Sequence, residues 1–148
     1  MDGLKLIGKF RIENLNTGET REVTNTIHNA GLAMITNLIG SFSTPTGSRF
    51  THVALGTGSS TINSSNVTLG AEAMRSGATL SQQTTSVTND TLRLIGSFVG
   101  DTTETLNEAG IFNNPAANVG SMLSRVVFAG VPVVASDAIN VTYNVSFA

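Results

Sequence analysis

The sequence contains no cysteine and no tryptophan, a single tyrosine and only 12% charged residues. The absence of cysteine excludes disulfides and cysteine-ligated zinc. Cysteine usage therefore does not indicate whether the protein works in an oxidising or a reducing compartment. Charged residues make up about a quarter of a typical soluble chain, so this surface must be built largely from uncharged hydroxyls and amides. The small net charge of −2 and the scarcity of aromatic residues predict no nucleic-acid partner.

Long hydrophobic runs are also missing. The N-terminal stretch MDGLKLIGKF lacks the apolar core of a signal peptide, and no apolar run approaches the roughly 18 residues of a membrane span. We therefore expect neither a secretion signal nor a membrane partner. A chain of 148 residues can bury a sizeable core. We interpret residues 1–148 as one domain, with an N-terminal β-hairpin over 1–26 and a β core carrying one helix over 27–148.

Alternating apolar and polar residues predict most of the strands. The clearest alternation covers Ile139 to Phe147. Pro132 lacks a ladder donor, so we expect Val131–Val134 to be an edge segment or a connection. The predicted strands are Leu4–Glu13, Thr20–Thr26, Thr51–Leu55, Ala78–Thr88, Thr91–Val99, Leu106–Phe112, Met122–Ala129 and Ile139–Phe147.

One segment has helical periodicity. Over Asn29–Gly40, Leu32, Ile35 and Leu38 recur at helical spacing, with Asn29 as a suitable N-cap and a C-terminal glycine. Taken with the strands, this predicts a mainly β fold. We expect an antiparallel β-sandwich or open barrel with one short α-helix packed on it.

Two acid–arginine pairs are candidates for structural ion pairs. Glu108 and Arg125 each lie in an apolar strand of one predicted hairpin, where a charge is costly unless it is paired. We therefore predict a cross-strand pair, with the two residues opposite each other. Glu72 and Arg75 are spaced for one helical turn, but the same segment could equally begin a strand.

No arrangement of residues predicts catalysis or a cofactor. Gly56 to Ser60 resembles a phosphate-binding loop, but neither a Gly-Lys-Ser/Thr sequence nor a helix follows it. His28 and His52 have no metal-ligand spacing, and no G-x-S-x-G motif is present. We expect no metal, no cofactor and no enzymatic activity.

Polar segments are the candidate interfaces, together with the N-terminal hairpin. A long polar loop in a compact domain is usually functional, mobile or held by a partner. In the loop Ser59–Thr68, the candidate contact residues are Ser59, Ser60, Thr61, Asn63, Ser64 and Asn66. In the polar strand Ser81–Thr88 they are Ser81, Gln83 and Thr85.

Several segments occur in an order and spacing that resemble a family of small tailed-bacteriophage virion proteins. Residues 25–32 are similar to that family's Asn-x-x-Asn-x-Gly-Leu helix entry, with one extra residue between the asparagines. Four further segments are similar to its Ala-Leu-Gly-Thr-Gly, Leu-x-x-Glu-x-x-Arg, Asn-Glu-Ala-Gly-Ile-Phe-Asn and Met-Leu-x-Arg-x-x-Phe elements. These four are Ala54–Gly58, Leu69–Arg75, Asn107–Asn113 and Met122–Phe128. An alternating terminal strand completes the resemblance, which covers about residues 25–147.

The resemblance implies a structural role in the virion without an active site. It implies that Leu69, Glu72, Arg75, Glu108 and Arg125 maintain the fold. The leading hypothesis is a capsid decoration (cement) protein, present as a homotrimer on the capsid exterior and bridging subunits of the major capsid protein. The alternative is a tail-tip, fibre-base or baseplate subunit whose partners are tail or fibre proteins.

Overall fold

A computed structural model describes residues 5–40 and 49–147, with the side chain of Thr26 left out. Over these residues the chain forms nine β-strands and one α-helix. In chain order they are β1 (Leu6–Asn14), β2 (Thr20–Thr24), β3 (Thr26–Ile27), α1 (Asn29–Gly40), β4 (His52–Gly56), β5 (Glu72–Gln83), β6 (Thr91–Val99), β7 (Glu104–Phe112), β8 (Met122–Val133) and β9 (Ala138–Phe147).

The strands form one antiparallel sheet that curls into a nearly closed barrel. Their order is β2-β1-β9-β6-β5-β4-β7-β8-β3, and β3 contributes only two residues. The seam of the barrel lies between β2 and β8, where a side chain bridges the gap. Arg21 donates from Nε to the carbonyl oxygen of Ala129 at 2.9 Å and from Nη2 to that of Gly130 at 3.0 Å. The predicted mainly β class, open barrel and single helix are therefore confirmed.

The barrel interior is filled by the apolar residues of the alternating strands. In β9, Ile139, Val141, Tyr143 and Val145 are buried, whereas the polar residues between them are partly exposed. The rings of Phe10 and Tyr143 lie 4.6 Å apart between centroids, which joins β1 to β9 inside the barrel. The polar side chains of the alternating strands thus lie on the outer face of the sheet.

The helix has the predicted bounds, Asn29–Gly40, and it packs on β8. Gly31 is buried at this contact. Only glycine fits there, because a Cβ atom at this position would lie 2.7 Å from the carbonyl oxygen of Leu123. The predicted N-cap is wrong by one residue. Leu32 N donates to the carbonyl oxygen of His28 at 3.0 Å, so the helical hydrogen bonds begin at His28 and Asn29 is already helical.

Several strand bounds differ from the prediction. The second strand of the N-terminal hairpin ends at Thr24, and the next residues form β3 beside β8. The strand predicted over Ala78–Thr88 is instead Glu72–Gln83. Of the two alternatives for the segment with Glu72 and Arg75, the strand start is therefore confirmed and the helical turn is wrong. The segment predicted as an edge or a connection is the end of β8, which continues to Val133. It pairs there with β7 on one side only, since β3 on the other side pairs with Ser124 and Arg125 alone, so the edge alternative is confirmed.

Candidate functional site

Glu108 and Arg125 form a buried ion pair on the outer face of the barrel. Arg125 donates from Nε to Oε2 of Glu108 at 2.9 Å, and its Nη2 lies 2.8 Å from the same oxygen. The two side chains are 0% and 1% exposed. They are diagonal neighbours rather than directly opposite, since Arg125 pairs with Gly110 and Glu108 with Val127 in the β7–β8 register. A long arginine side chain can span this diagonal.

The Glu108 carboxylate also anchors the segment between β4 and β5. Its Oε1 accepts hydrogen bonds from the backbone N–H groups of Gly58 at 3.1 Å and Ala71 at 2.7 Å. Its Oε2 accepts one from Gly70 at 2.9 Å. The glycine loop that resembles a phosphate site therefore does bind an anion, through the N–H group of Gly58, but that anion is the chain's own carboxylate.

Arg125 holds the same segment from the other side. Its Nη2 donates to Oγ of Ser60 at 3.0 Å and to the Ser60 carbonyl oxygen at 3.2 Å, and its Nη1 donates to Oδ1 of Asn66 at 3.2 Å. The start of the helix adds another contact, from Asn29 N to the carbonyl oxygen of Ser64 at 3.0 Å. The long polar segment is thus fixed to the barrel along its length by the protein itself.

A second buried pair, Glu72–Arg75, holds the loop between β7 and β8. Arg75 binds the Glu72 carboxylate with two nitrogens at 2.7 and 2.8 Å, and its guanidinium lies 3.8 Å from the ring centroid of Phe112. Its Nη1 donates to the carbonyl oxygens of Asn114 and Val119 at 2.9 and 3.0 Å.

A β-bulge places Glu72 and Arg75 on the same side of β5. Residues three apart on a regular strand point to opposite faces. Here Gly56 pairs with Glu72 while Leu55 pairs with Met74, so one extra residue is inserted between the two charged side chains. The bulge therefore produces in a strand the contact that the spacing suggested for a helix.

A small apolar cluster is buried on this same outer face. Its members are Ala54, Leu69, Phe112 and Met122, each at most 4% exposed. Together with the two ion pairs, the cluster forms a covered layer outside the barrel. All four charged side chains are at most 3% exposed, so they can stabilise the fold but are shielded from any substrate.

The predicted contact residues of the first loop divide into two groups. All six are exposed except Asn66, which is partly buried. Ser60 and Asn66 differ from the other four because they direct side-chain oxygens at Arg125. The sequence could not distinguish these groups, because all six are small uncharged polar residues.

The second predicted contact segment is a strand end followed by a loop. Ser81 is exposed and Gln83 partly buried at the end of β5. Thr85 lies in the loop beyond, where its N–H and hydroxyl both bind the Asp90 carboxylate. Asp90 also accepts from the N–H groups of Ser86 and Val87. These hydrogen bonds hold the pKa of Asp90 far below its usual value.

Two surface grooves among the described residues differ in polarity. An apolar groove of about 390 Å³ lies between α1 and the sheet, with Ile35, Leu80, Leu92 and Phe147 in its lining. A polar groove of about 520 Å³ runs over the outer face of β2, β1, β9 and β6. Residues 5–40 and 49–147 contain no cluster of three or more histidines or carboxylates that could hold a metal ion. In that same part of the chain, no helix is long and apolar enough to cross a membrane.

Four of the segments on which the predicted family resemblance rests, Ala54–Gly58, Leu69–Arg75, Asn107–Asn113 and Met122–Phe128, meet at the two ion pairs. Their glycines fit closely here, since a Cβ atom at Gly56 would lie 2.5 Å from the Ala71 carbonyl oxygen, and one at Gly70 would lie 2.9 Å from Oγ of Ser60. The motifs therefore correspond to one structural framework. Comparison of the chain with family models, curated proteins and solved structures finds no match.

Proposed function

We propose that this chain is a bacteriophage virion structural protein, and specifically a capsid decoration (cement) protein that bridges subunits of the capsid. The observation that supports this most is the fixed loop between β4 and β5. The buried Glu108–Arg125 pair holds the loop from inside, while Ser59, Thr61 and Ser64 face solvent. A loop that is ordered before binding loses little conformational entropy in an interface.

The chemistry of the exposed side chains favours contact with protein. Hydroxyl and amide groups can be desolvated at lower cost than charged groups, provided that they find hydrogen-bond partners. Of the chain's 8 lysines and arginines, Arg75 and Arg125 are buried in ion pairs. The surface therefore repels a neighbouring subunit weakly, which suits a close lattice of identical contacts.

Binding only to the assembled shell explains how such a protein would act. A ligand that binds the assembled state but not the separated subunits stabilises the assembly by mass action. Each decoration subunit that spans two capsid subunits would add the free energy of its contact to their association. The proposed homotrimer would multiply this effect, because its subunits bind together.

The proposal is tested by replacing exposed loop residues and measuring occupancy on virions. Thr61→Arg with Ser64→Arg adds bulk and charge on the exposed side of the loop, where the structure shows no side-chain hydrogen bond for either residue. We expect the variant to fold normally and to lose most of its binding to virions that lack the protein. The matched control is Ala116→Arg with Ala117→Arg, which places the same two side chains on the exposed loop after β7.

Full occupancy of the loop variant, with folding unchanged, would contradict the role given to this loop. Deleting the whole loop is not a clean test, because it would leave Arg125 buried without Ser60 and Asn66. The alternative role, a tail-tip, fibre-base or baseplate subunit, would involve the same loop but far fewer copies in each virion.

A further inference from the structure

Most of the charged side chains in residues 5–40 and 49–147 find their partners within the chain. Five ion pairs join carboxylates to Arg11, Arg21, Arg75 and Arg125. Asp90 and Asp137 accept hydrogen bonds from their own loops or from Asn14. Lys5 and Arg49 border residues that the structure does not describe. Of the other charged residues, Lys9, Arg93, Asp101 and Glu104 have no ion pair in the described part of the chain, and the Arg93 side chain is hydrogen-bonded to an uncharged amide, that of Asn144.

The two unpaired cations lie in the polar groove. Lys9 on β1 pairs with Asn144 on β9, and Asn144 pairs in turn with Arg93 on β6, so the three form one row across the outer face. Arg93 donates from Nε to Oδ1 of Asn144 at 2.9 Å, which positions its guanidinium. Arg11 and Glu22 also line the groove and bind each other at 2.9 Å. The groove therefore contains two cations, Lys9 and Arg93, that have no carboxylate partner.

The two unpaired carboxylates lie together at the turn between β6 and β7. Asp101 is exposed in the turn, and Glu104 is the first residue of β7. Oε1 of Glu104 is buried without a hydrogen-bond partner. Burial and the neighbouring charge of Asp101 both raise the pKa of Glu104. This acidic turn is an unfavourable arrangement that a nearby cation would relieve.

The groove and the acidic turn of one chain are too far apart to meet. Arg93 and Val99 lie on the same strand, and six residues of strand span about 20 Å at a rise of roughly 3.3 Å per residue. The turn follows Val99, so it extends away from the groove. Only a different copy of the chain can bring the two sets of charges together.

We propose that the acidic turn of one copy docks in the polar groove of the next, with Asp101 and Glu104 against Lys9 and Arg93. The contact joins different surfaces of the two copies, so it closes into a ring if the rotation between subunits permits. The inference rests on the proposed function in one respect only, which is that the assembly is expected to contain three copies of the chain. It assigns one face of the N-terminal hairpin to self-assembly and leaves the loop between β4 and β5 free to bind the capsid.

The experiment is a charge exchange read by sedimentation velocity and light scattering of the purified protein. The wild type should associate at low ionic strength and dissociate as salt is added. Lys9→Glu with Arg93→Glu, and separately Asp101→Lys with Glu104→Lys, should each weaken association by about a hundredfold or more, because like charges then face each other. All four changes in one chain should restore association.

Two further variants serve as controls. Ala116→Glu with Ala117→Glu adds negative charge on an exposed loop outside both surfaces and should leave association unchanged. Asp101→Lys with Glu104→Gln replaces the second set if lysine at the partly buried position 104 prevents folding. All variants are checked by circular dichroism and thermal unfolding before association is compared.

A wild type that stays monomeric at every concentration would overturn the inference. So would an assembly whose dissociation constant neither charge reversal changes, or a four-site variant that folds but does not reassociate. These results leave the proposed virion role intact, since that role is judged from the presence of the protein in virions. Conversely, absence from virions would refute that role without affecting charge-dependent association in solution.

Discussion

Replacing Glu108 with glutamine removes the charge at the centre of the buried framework while keeping the size of the side chain. The carboxylate accepts hydrogen bonds from three backbone N–H groups and from Arg125. A glutamine has one acceptor oxygen, and its NH₂ group would face donors at the other position. Arg125, at 1% side-chain exposure, would be left as a buried charge without a counter-ion.

The expected loss of unfolding free energy is about 3–5 kcal/mol, the usual cost of removing one partner from a buried ion pair. This is a large part of the roughly 5–15 kcal/mol that stabilises a typical domain. Arg125→Met should cost less, because the three backbone N–H groups still bind the carboxylate. The double variant should be less destabilised than the sum of the single variants, with a coupling of about 0.5–3 kcal/mol.

The assay is urea unfolding followed by circular dichroism, analysed by linear extrapolation. The control is the exposed pair Arg11–Glu22, whose side chains are 46% and 69% exposed. There Glu22→Gln should change stability by less than about 1 kcal/mol. Equal losses at Glu108 and Glu22, or additive effects in the Glu108–Arg125 cycle, would refute the central role of the buried pair.

Three further predictions follow from single contacts. Gly31→Ala should lower the unfolding free energy measured in urea by about 1–3 kcal/mol, because the added Cβ atom would lie 2.8 Å from Cα of Leu123. Its control, Gly77→Ala, should leave the unfolding free energy nearly unchanged, because the added Cβ atom would have no neighbouring atom closer than 4.0 Å. Burial raises the pKa of Tyr143 to about 12. Because the folded state keeps this proton longer than the unfolded chain, unfolding free energy should fall by about 1.4 kcal/mol per unit between about pH 10 and 12. Tyr143→Phe should remove that slope, and tyrosinate absorbance appearing near pH 10 in the folded protein would contradict it. Arg21→Gln should open the barrel seam and speed hydrogen exchange in β2 but not in β6, so equal rates in wild type and variant would argue against the bridge.

The sequence predicted best where one regular pattern determined the structure. The alternating residues Ile139–Phe147 form almost the whole of β9, and the predicted helix Asn29–Gly40 has the same first and last residues as α1. Glu108 and Arg125 stood out because a charge inside an apolar strand needs a partner. Their diagonal register was not predictable, because it depends on irregular pairing between β7 and β8.

Prediction failed where tertiary contacts override local pattern. The bulge at the start of β5 brings Glu72 to Arg75 in a strand, although their spacing is also that of a helical turn. The residues after Gln83 have strand propensity, but six hydrogen bonds from Thr85, Ser86 and Val87 to the Asp90 carboxylate make them a loop. Composition alone cannot show that a carboxylate will organise a segment in this way.

The most direct test of the proposed role is the number of copies of this protein in purified virions, measured by quantitative mass spectrometry against the major capsid protein. A decoration protein that occupies the shell should be present at close to one copy for each capsid subunit. A ratio of a few per hundred would place the protein in the tail instead. Complete absence from virions would contradict a structural role in the particle.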